Sequence, residues 1–406
     1  MANMMDYMTW RGDLPVSVAP WNPVDTMLCA TICYVELHSY AADEQGMTLR
    51  ELAPLLPLTE ASGDIYNDKR QALFLEMSRS VRFADTVIRR YINRIDRETQ
   101  FSAMLLDVPD GPLAVAFRGT DATLTGWKED CCMSFETVPA QLAAVEYLRE
   151  AIRDTEPGRN IVVTGHSKGG NLAAYAAAHL TPEEQGRLTA VSSLDGPGLD
   201  DATLASDGYA RIRPILASVI PQDSVVGLLM GYIQDYTVVH STGNGILQHD
   251  NFTWQLHGPA FEVMDSNTTS SQFVNTTVHD WLNHCSPEQR RNFVNYLFDV
   301  LEFGNASTTK DLSADKGRTL ATVIAANRTL DPEAKKQFYH MLGQLVSSGA
   351  ANAFGLLEQH TNALLAGLKE QPADLLAGAG NLLSELKEAL PNPISVLKAG
   401  GNENAE

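Results

Sequence analysis

Residues 161–180 read IVVTGHSKGGNLAAYAAAHL. The opening run, Ile161 to Thr164, is β-branched and strand-forming. The closing run is rich in alanine, which favours helix and lets a helix lie close against a sheet. Between them stands Gly165-His166-Ser167-Lys168-Gly169, a G-x-S-x-G sequence. In a strand–turn–helix context this arrangement puts a serine on a sharp, strained turn, with its hydroxyl projecting above the sheet and glycines where the chain crowds itself. The helix N-terminus then aims its free N–H groups and positive dipole end at the same point, where they would stabilise a developing oxyanion. The stretch therefore predicts a nucleophile elbow with Ser167 as the nucleophile.

Working outward, PLAVAFRGT (112–120), LTAVSSLDG (188–196), PILASVIP (214–221) and YTVVHST (236–242) read as further strands, with helical segments between several of them. Alternation of this kind predicts an α/β fold over residues 1–305, with a mostly parallel sheet flanked by helices. VDTMLCATICYVELHSYA (24–41) and QALFLEMSRSVRFADTVIRRYI (71–92) carry apolar residues at helical spacing, with Asp25 placed to cap the first. Past residue 305 strand signals vanish. Residues 306–406 predict an α-helical C-terminal extension, stopped by Pro391 and Pro393, with a disordered tail from about residue 394. LLAG recurs at 364 and 375, too few copies to define a repeat. The extension is a candidate for packing on the main domain, for a homo-oligomer interface, or for binding a partner helix, in that order.

Composition narrows the function classes. The chain has 406 residues, 44% hydrophobic and 20% charged, and no run approaches the roughly 18 to 20 apolar residues of a transmembrane helix. Asp6 and Arg11 interrupt the N-terminal stretch where a secretory signal needs an apolar core, so the expected location is cytoplasmic. Five cysteines, with no C-x-x-C pair, fit neither a disulfide framework nor a zinc site, and no cofactor or metal is implied. A net charge of −20 argues against nucleic acid and anionic membranes as partners. Residues 306–406 hold 9 basic and 11 acidic side chains, so nearly all of that acidity belongs to the α/β part.

A serine hydroxyl needs a base to take its proton and an acid to orient that base. In α/β hydrolases the chain order is Ser, acid, His. Asp223, directly after the strand at 214–221, is the first candidate for the acid, and Asp195 at the end of the preceding strand is the alternative. His249, in the loop beyond the last strand, is the first candidate for the base. His240 lies within that strand, where the pleat fixes side-chain direction, and His166, His257, His279 and His284 remain as others. The backbone N–H groups of Thr120, at the end of a strand upstream, and of Lys168 are the expected oxyanion donors.

AFRGT (116–120), with Trp127 and Asp130 downstream and then GHSKGG (165–170), resembles the class 3 (fungal-type) lipases. It is more similar still to a bacterial family of lipase-3-like hydrolases of largely unassigned substrate. Segments similar to DYMTWRGDL, PWNPVDTMLCATICYVEL, VIPQDSVVG and QHDNFTW also occur in that family. Covering roughly residues 5–305, the resemblance implies an α/β-hydrolase fold, a Ser167, Asp223 and His249 triad, and oxyanion donors at Thr120 and Lys168. It implies a small-molecule substrate, a carboxylic ester of lipid-like or acyl type, and no cofactor. Thioesterase, acyltransferase and amidase share this chemistry, and a non-catalytic hydrolase-like binding protein is the alternative of another class. Two departures bear on specificity. Lys168 stands where class 3 lipases often carry leucine, its side chain expected either to point outward or to attract an anionic group. The 26-residue interval from Asp223 to His249 is shorter than in the fungal enzymes, and SVVGLLMGY (224–232) reads as a pocket wall, a lid or a buried helix.

Overall fold

Small and β-branched residues buried on both faces make the middle of this chain a sheet. The computed structural model describes residues 2–37, 46–56, 65–96, 99–120, 128–130, 132–133, 136–224, 226–228, 235–243, 245–268 and a few positions between 286 and 292. Eight strands follow in chain order: β1 (Met47–Thr48), β2 (Val87–Ile95), β3 (Gln100–Asp107), β4 (Leu113–Phe117), β5 (Ile161–His166), β6 (Leu188–Leu194), β7 (Leu216–Pro221) and β8 (Tyr236–Val239). Their order across the sheet is the same as their order in the chain. β1 to β4 pair antiparallel; β4 to β8 pair parallel. The result is a mixed, mostly parallel α/β sheet. All five strands expected from the sequence are present.

The parallel connections from β4 to β5, β5 to β6 and β6 to β7 run through helices. Of the helices that position the site, α1 spans Met4–Arg11, α2 Pro23–Ile32, α3 Ile65–Arg79, α4 Pro139–Arg153 and α5 Lys168–Ala178. α4 joins β4 to β5 and α5 joins β5 to β6, and the two pack on each other. Ala114, Ala116, Val162, Leu194, Val219 and Val239 point to the face covered by α1, α2 and α3, where one continuous core includes Met4, Met27, Leu28, Phe74 and Met77. Both β4 and β5 are buried at every position, the pattern of strands covered on two faces.

The chain divides into two compact units, residues 1–120 with 137–272, and residues 121–136 with 273–406. Everything described below for the site lies in the first unit. In the second, Arg291 pairs with Glu136 at 3.0 Å. The expected boundary at 305 and the helical extension 306–406 fall outside the described residues. Among the described residues no helix is long and apolar enough to cross a membrane. Cys29, Cys33 and Cys132 are free thiols, the first two buried, and burial pushes Cys33 up to about 12.

Two helix expectations change. The stretch 71–92 is not one helix: α3 ends at Arg79, and Val87–Ile95 is strand β2. There Val87, Ile88 and Ile92 are β-branched and pair across to β3, so tertiary pairing overrides the helical spacing. Asp25 is not the cap of α2. Asn22 caps it, with Pro23 at the first helical position, and Asp25 reaches back to the Asn22 N–H from the third position.

That Asp25 carboxylate also holds the N-terminal layer together. Arg82 donates to it from Nε at 2.8 Å and from Nη2 at 2.5 Å, and the Tyr7 hydroxyl donates at 2.7 Å. Arg82 Nη1 donates to Leu14 O and Ala19 O, so both side chains are fully buried yet satisfied. Removing one partner of a buried, hydrogen-bonded ion pair costs about 3 to 5 kcal/mol. Arg82→Met should lower unfolding stability by that order in urea titration. A loss under about 1 kcal/mol would show that this layer does not depend on the pair.

Candidate active site

Ser167 has φ 61° and ψ −134°, a left-handed backbone region that side-chain-bearing residues rarely enter. Its N–H donates to Leu194 O at 2.9 Å, and its carbonyl accepts from Gly170 N at 2.8 Å. A Cβ on Gly165 would stand 2.1 Å from Gly169 O, and one on Gly169 would stand 2.1 Å from Phe117 O. No side chain fits at either glycine: β4, β5 and the first turn of α5 approach too closely. The elbow expected from the sequence is thus present in its geometry, with Ser167 partly exposed and flanked by buried His166 and Lys168.

Asp195 follows β6, next to β5 in the sheet, and it too has a positive φ, 47°. Its carboxylate, 1% exposed, takes three hydrogen bonds: Ser224 Oγ at 2.5 Å and Gly227 N at 3.1 Å on Oδ1, and His249 Nδ1 at 2.6 Å on Oδ2. The acid that meets the His249 imidazole is therefore Asp195. Asp223, the residue expected in that place, instead pairs with Gln248, accepting from its Nε2 at 2.7 Å and donating its own N–H to Oε1 at 3.0 Å, while the Thr268 hydroxyl donates to its other oxygen. It anchors the residue before His249 rather than His249 itself.

His249 ends a short 3₁₀ turn, Gly245–His249, that is fixed from several sides. Trp254, fully buried, donates its indole N–H to Gln248 O at 2.8 Å, and Asn251 Nδ2 donates to Thr31 Oγ1 at 2.7 Å. With Nδ1 on Asp195, Nε2 is the His249 nitrogen not engaged by that carboxylate. The ring lies 4.6 Å, centroid to centroid, from that of His166, the residue before Ser167. Among the described residues no hydrogen bond joins the Ser167 hydroxyl to this imidazole; such contacts are often long before substrate binds and tighten in the reacting complex.

His166 joins the elbow to the turn that carries His249. Its Nε2 meets His249 O at 2.7 Å, and its Nδ1 meets the Tyr34 hydroxyl at 3.1 Å. A carbonyl only accepts, so Nε2 carries the hydrogen. Burial first, and His249 second, hold this imidazole well below the ordinary histidine range, so Nδ1 is bare and accepts from Tyr34.

The two expected oxyanion donors lie where β4 and β5 end side by side. A Cβ on Gly119 would fall 2.1 Å from the Tyr34 hydroxyl and 2.8 Å from Ser167 Cβ, so the loop that leads to Thr120 presses on the elbow. The Lys168 side chain follows neither expected course. It is fully buried, and Nζ donates to Gln100 O at 2.9 Å and to Gln100 Oε1 at 3.2 Å. Gln100 Nε2 in turn donates to Gly119 O at 3.4 Å. Lys168 and the loop ending at Thr120 are thus tied to one strand residue.

Of the other candidate bases, His240 Nδ1 meets Glu262 Oε1 at 3.2 Å, and His257 is exposed. His279, His284, Trp127 and most of the 224–232 segment lie outside the described residues; Val226–Leu228 form a 3₁₀ turn. Tyr34 carried no sequence signal as a site residue. Asp195 did, through the Asp-Gly at a strand end.

The family model described as Mbeg1-like matches residues 77–299, more than half the chain and the part that holds Ser167, Asp195 and His249. Searches of curated proteins and of solved structures returned no match.

The neutral, buried His166 gives the site a pH signature. An unfolded chain protonates this imidazole below about pH 6.5, whereas the native chain resists. The stability it contributes is complete above that pH and is lost as pH falls towards the depressed native value. The urea midpoint should drop between about pH 7.5 and 5.5, and drop less in His166→Gln. Equal slopes for the two proteins would count against a buried neutral imidazole.

Proposed function

This chain belongs to the Mbeg1-like family, a lipase-like family related to the class 3 lipases, and we propose that it is a serine hydrolase of carboxylic esters, lipid-like or acyl, built on an α/β-hydrolase sheet. The observation that carries the reading is the 2.6 Å bond from His249 Nδ1 to a buried Asp195 beside a serine in strained elbow geometry. Ser167 Oγ attacks the ester carbonyl while its proton passes to His249 Nε2. The Thr120 and Lys168 backbone N–H groups hold the oxyanion. Collapse of the tetrahedral intermediate breaks the bond to the alcohol oxygen, which leaves with the proton from His249. Water, activated by the same imidazole, then frees the acid and restores Ser167.

In this scheme Asp195, not Asp223, fixes the tautomer and stabilises the imidazolium. Asp223 serves one step back, by holding Gln248. Free thiols at Cys29, Cys33 and Cys132 and a net charge of −20 fit a cytoplasmic protein acting on small molecules rather than nucleic acid.

A fluorophosphonate probe should label the wild type and leave Ser167→Ala unlabelled. Asp195→Asn should lower kcat on 4-nitrophenyl esters by up to about four orders of magnitude, as loss of a triad acid does elsewhere. Asp223→Asn should cost far less. The reverse ranking would return the acid's role to Asp223, and equal labelling of Ser167→Ala would remove Ser167 as the nucleophile.

A further inference from the structure

The Lys168 side chain is buried and hydrogen-bonded to Gln100. Another cation stands at the site's edge. α3 lays two successive basic residues over the segments that carry the catalytic groups. Lys69 Nζ pairs with Asp250, next to His249, at 3.0 Å and lies 5.6 Å from the Phe252 ring centre. Arg70 stacks its guanidinium 3.8 Å over the ring of Tyr34. Tyr34 is 8% exposed, and its hydroxyl bonds His166. One point in space, the missing Cβ of Gly119, is 2.1 Å from that hydroxyl and 2.8 Å from Ser167 Cβ. The tyrosine on which Arg70 rests is therefore a direct neighbour of the nucleophile.

Arg70 is half-buried, and among the described residues no carboxylate pairs with it. In a chain with 50 acidic and 30 basic side chains, an arginine held by stacking and, among the described residues, paired with no carboxylate is an unusual use of a guanidinium. Stacking occupies the face of the planar group and leaves its N–H edge, the part that binds carboxylates and phosphates in bidentate fashion, for another partner. The field of Arg70 also reaches His166, where it opposes protonation. We propose that Arg70 forms an anion subsite beside Ser167, and that the substrate is an ester carrying an oxyanion group, a carboxylate or a phosphate, close to the scissile carbonyl. The proposal rests on the serine-hydrolase reading and deepens it.

The test compares two substrates of equal acyl length, 4-nitrophenyl pentanoate and 4-nitrophenyl hemiglutarate, which differ by a terminal carboxylate. The wild type should favour the hemiglutarate in kcat/KM by about tenfold or more, the scale of one hydrogen bond to a charged group. Arg70→Gln should collapse that ratio towards one, Arg70→Lys should keep part of it, and Lys69→Gln, whose charge is already paired, should leave the ratio as it was. A wild-type ratio near one, or an equal loss on both esters in Arg70→Gln, overturns the subsite. Binding gives a second readout that needs no turnover. Calorimetry on Ser167→Ala should detect the hemiglutarate, and adding Arg70→Gln should weaken it about tenfold; unchanged affinity, or no binding in Ser167→Ala, overturns the proposal. Charge-dependent binding with no hydrolysis of either ester by the wild type would instead sink the hydrolase reading and leave the anion site standing. Inhibition by glutarate against inorganic phosphate tells a carboxylate preference from a phosphate one.

Discussion

The backbone of Ser167 holds a conformation that costs of order 1 to 3 kcal/mol, and the head of the sheet is arranged around keeping it there. Ser167 N–H is spent on Leu194 O of the neighbouring strand, and its carbonyl on Gly170. The glycines on either side are demanded by contact, since β4, β5 and α5 come within 2.1 Å of where their Cβ atoms would be. The same packing that strains the turn lifts the serine out of the buried strand and sets it over a helix N-terminus. The Ser167 to Leu194 bond then does a second thing: it locks Ser167 to the strand whose next residue is Asp195.

Strand order explains why the carboxylate that meets His249 is Asp195. Each strand of this sheet lies beside its neighbours in the chain, so β6 ends directly beside β5 and β7 ends one strand farther away. A carboxylate on β6 is next to the serine and fully desolvated. Such a group is costly unless each oxygen is occupied, and Ser224, Gly227 and His249 occupy them. Asp223, beyond β7, is instead matched to Gln248 on both its N–H and its carboxylate. Two adjacent positions of the 3₁₀ turn, Gln248 and His249, thus take their bearings from two different strand ends.

Much of this was legible in the sequence, for local reasons. The elbow and the five parallel strands follow from β-branched runs and glycine placement. His249 follows from its position past the last strand. Asp195 against Asp223 was not legible, because both follow strands, both keep the Ser, acid, His order, and only the lateral arrangement of strands separates them. The β2–β3 hairpin was masked because Phe83, Ile88 and Tyr91 continue the apolar spacing of α3, and pairing with β3, not periodicity, decides their state. The course of Lys168 was equally invisible. Its acceptors include the carbonyl and the side-chain amide of Gln100 on β3, far away in the chain.

The charge pattern around the site follows from which cations are already satisfied. Lys168 Nζ is hydrogen-bonded to Gln100, Lys69 pairs with Asp250, and Arg82 with Asp25 in the N-terminal layer. His166, which would add a charge beside the nucleophile, is kept neutral by burial and by His249. In the proposed mechanism a proton arriving on His249 Nε2 leaves an imidazolium whose Nδ1 already faces the buried Asp195 carboxylate. Arg70, held over Tyr34 and, among the described residues, paired with no carboxylate, is the cation assigned to the proposed anion subsite. In an acidic protein the proposed arrangement would separate two electrostatic tasks: moving a proton at Ser167, and attracting an anion beside it.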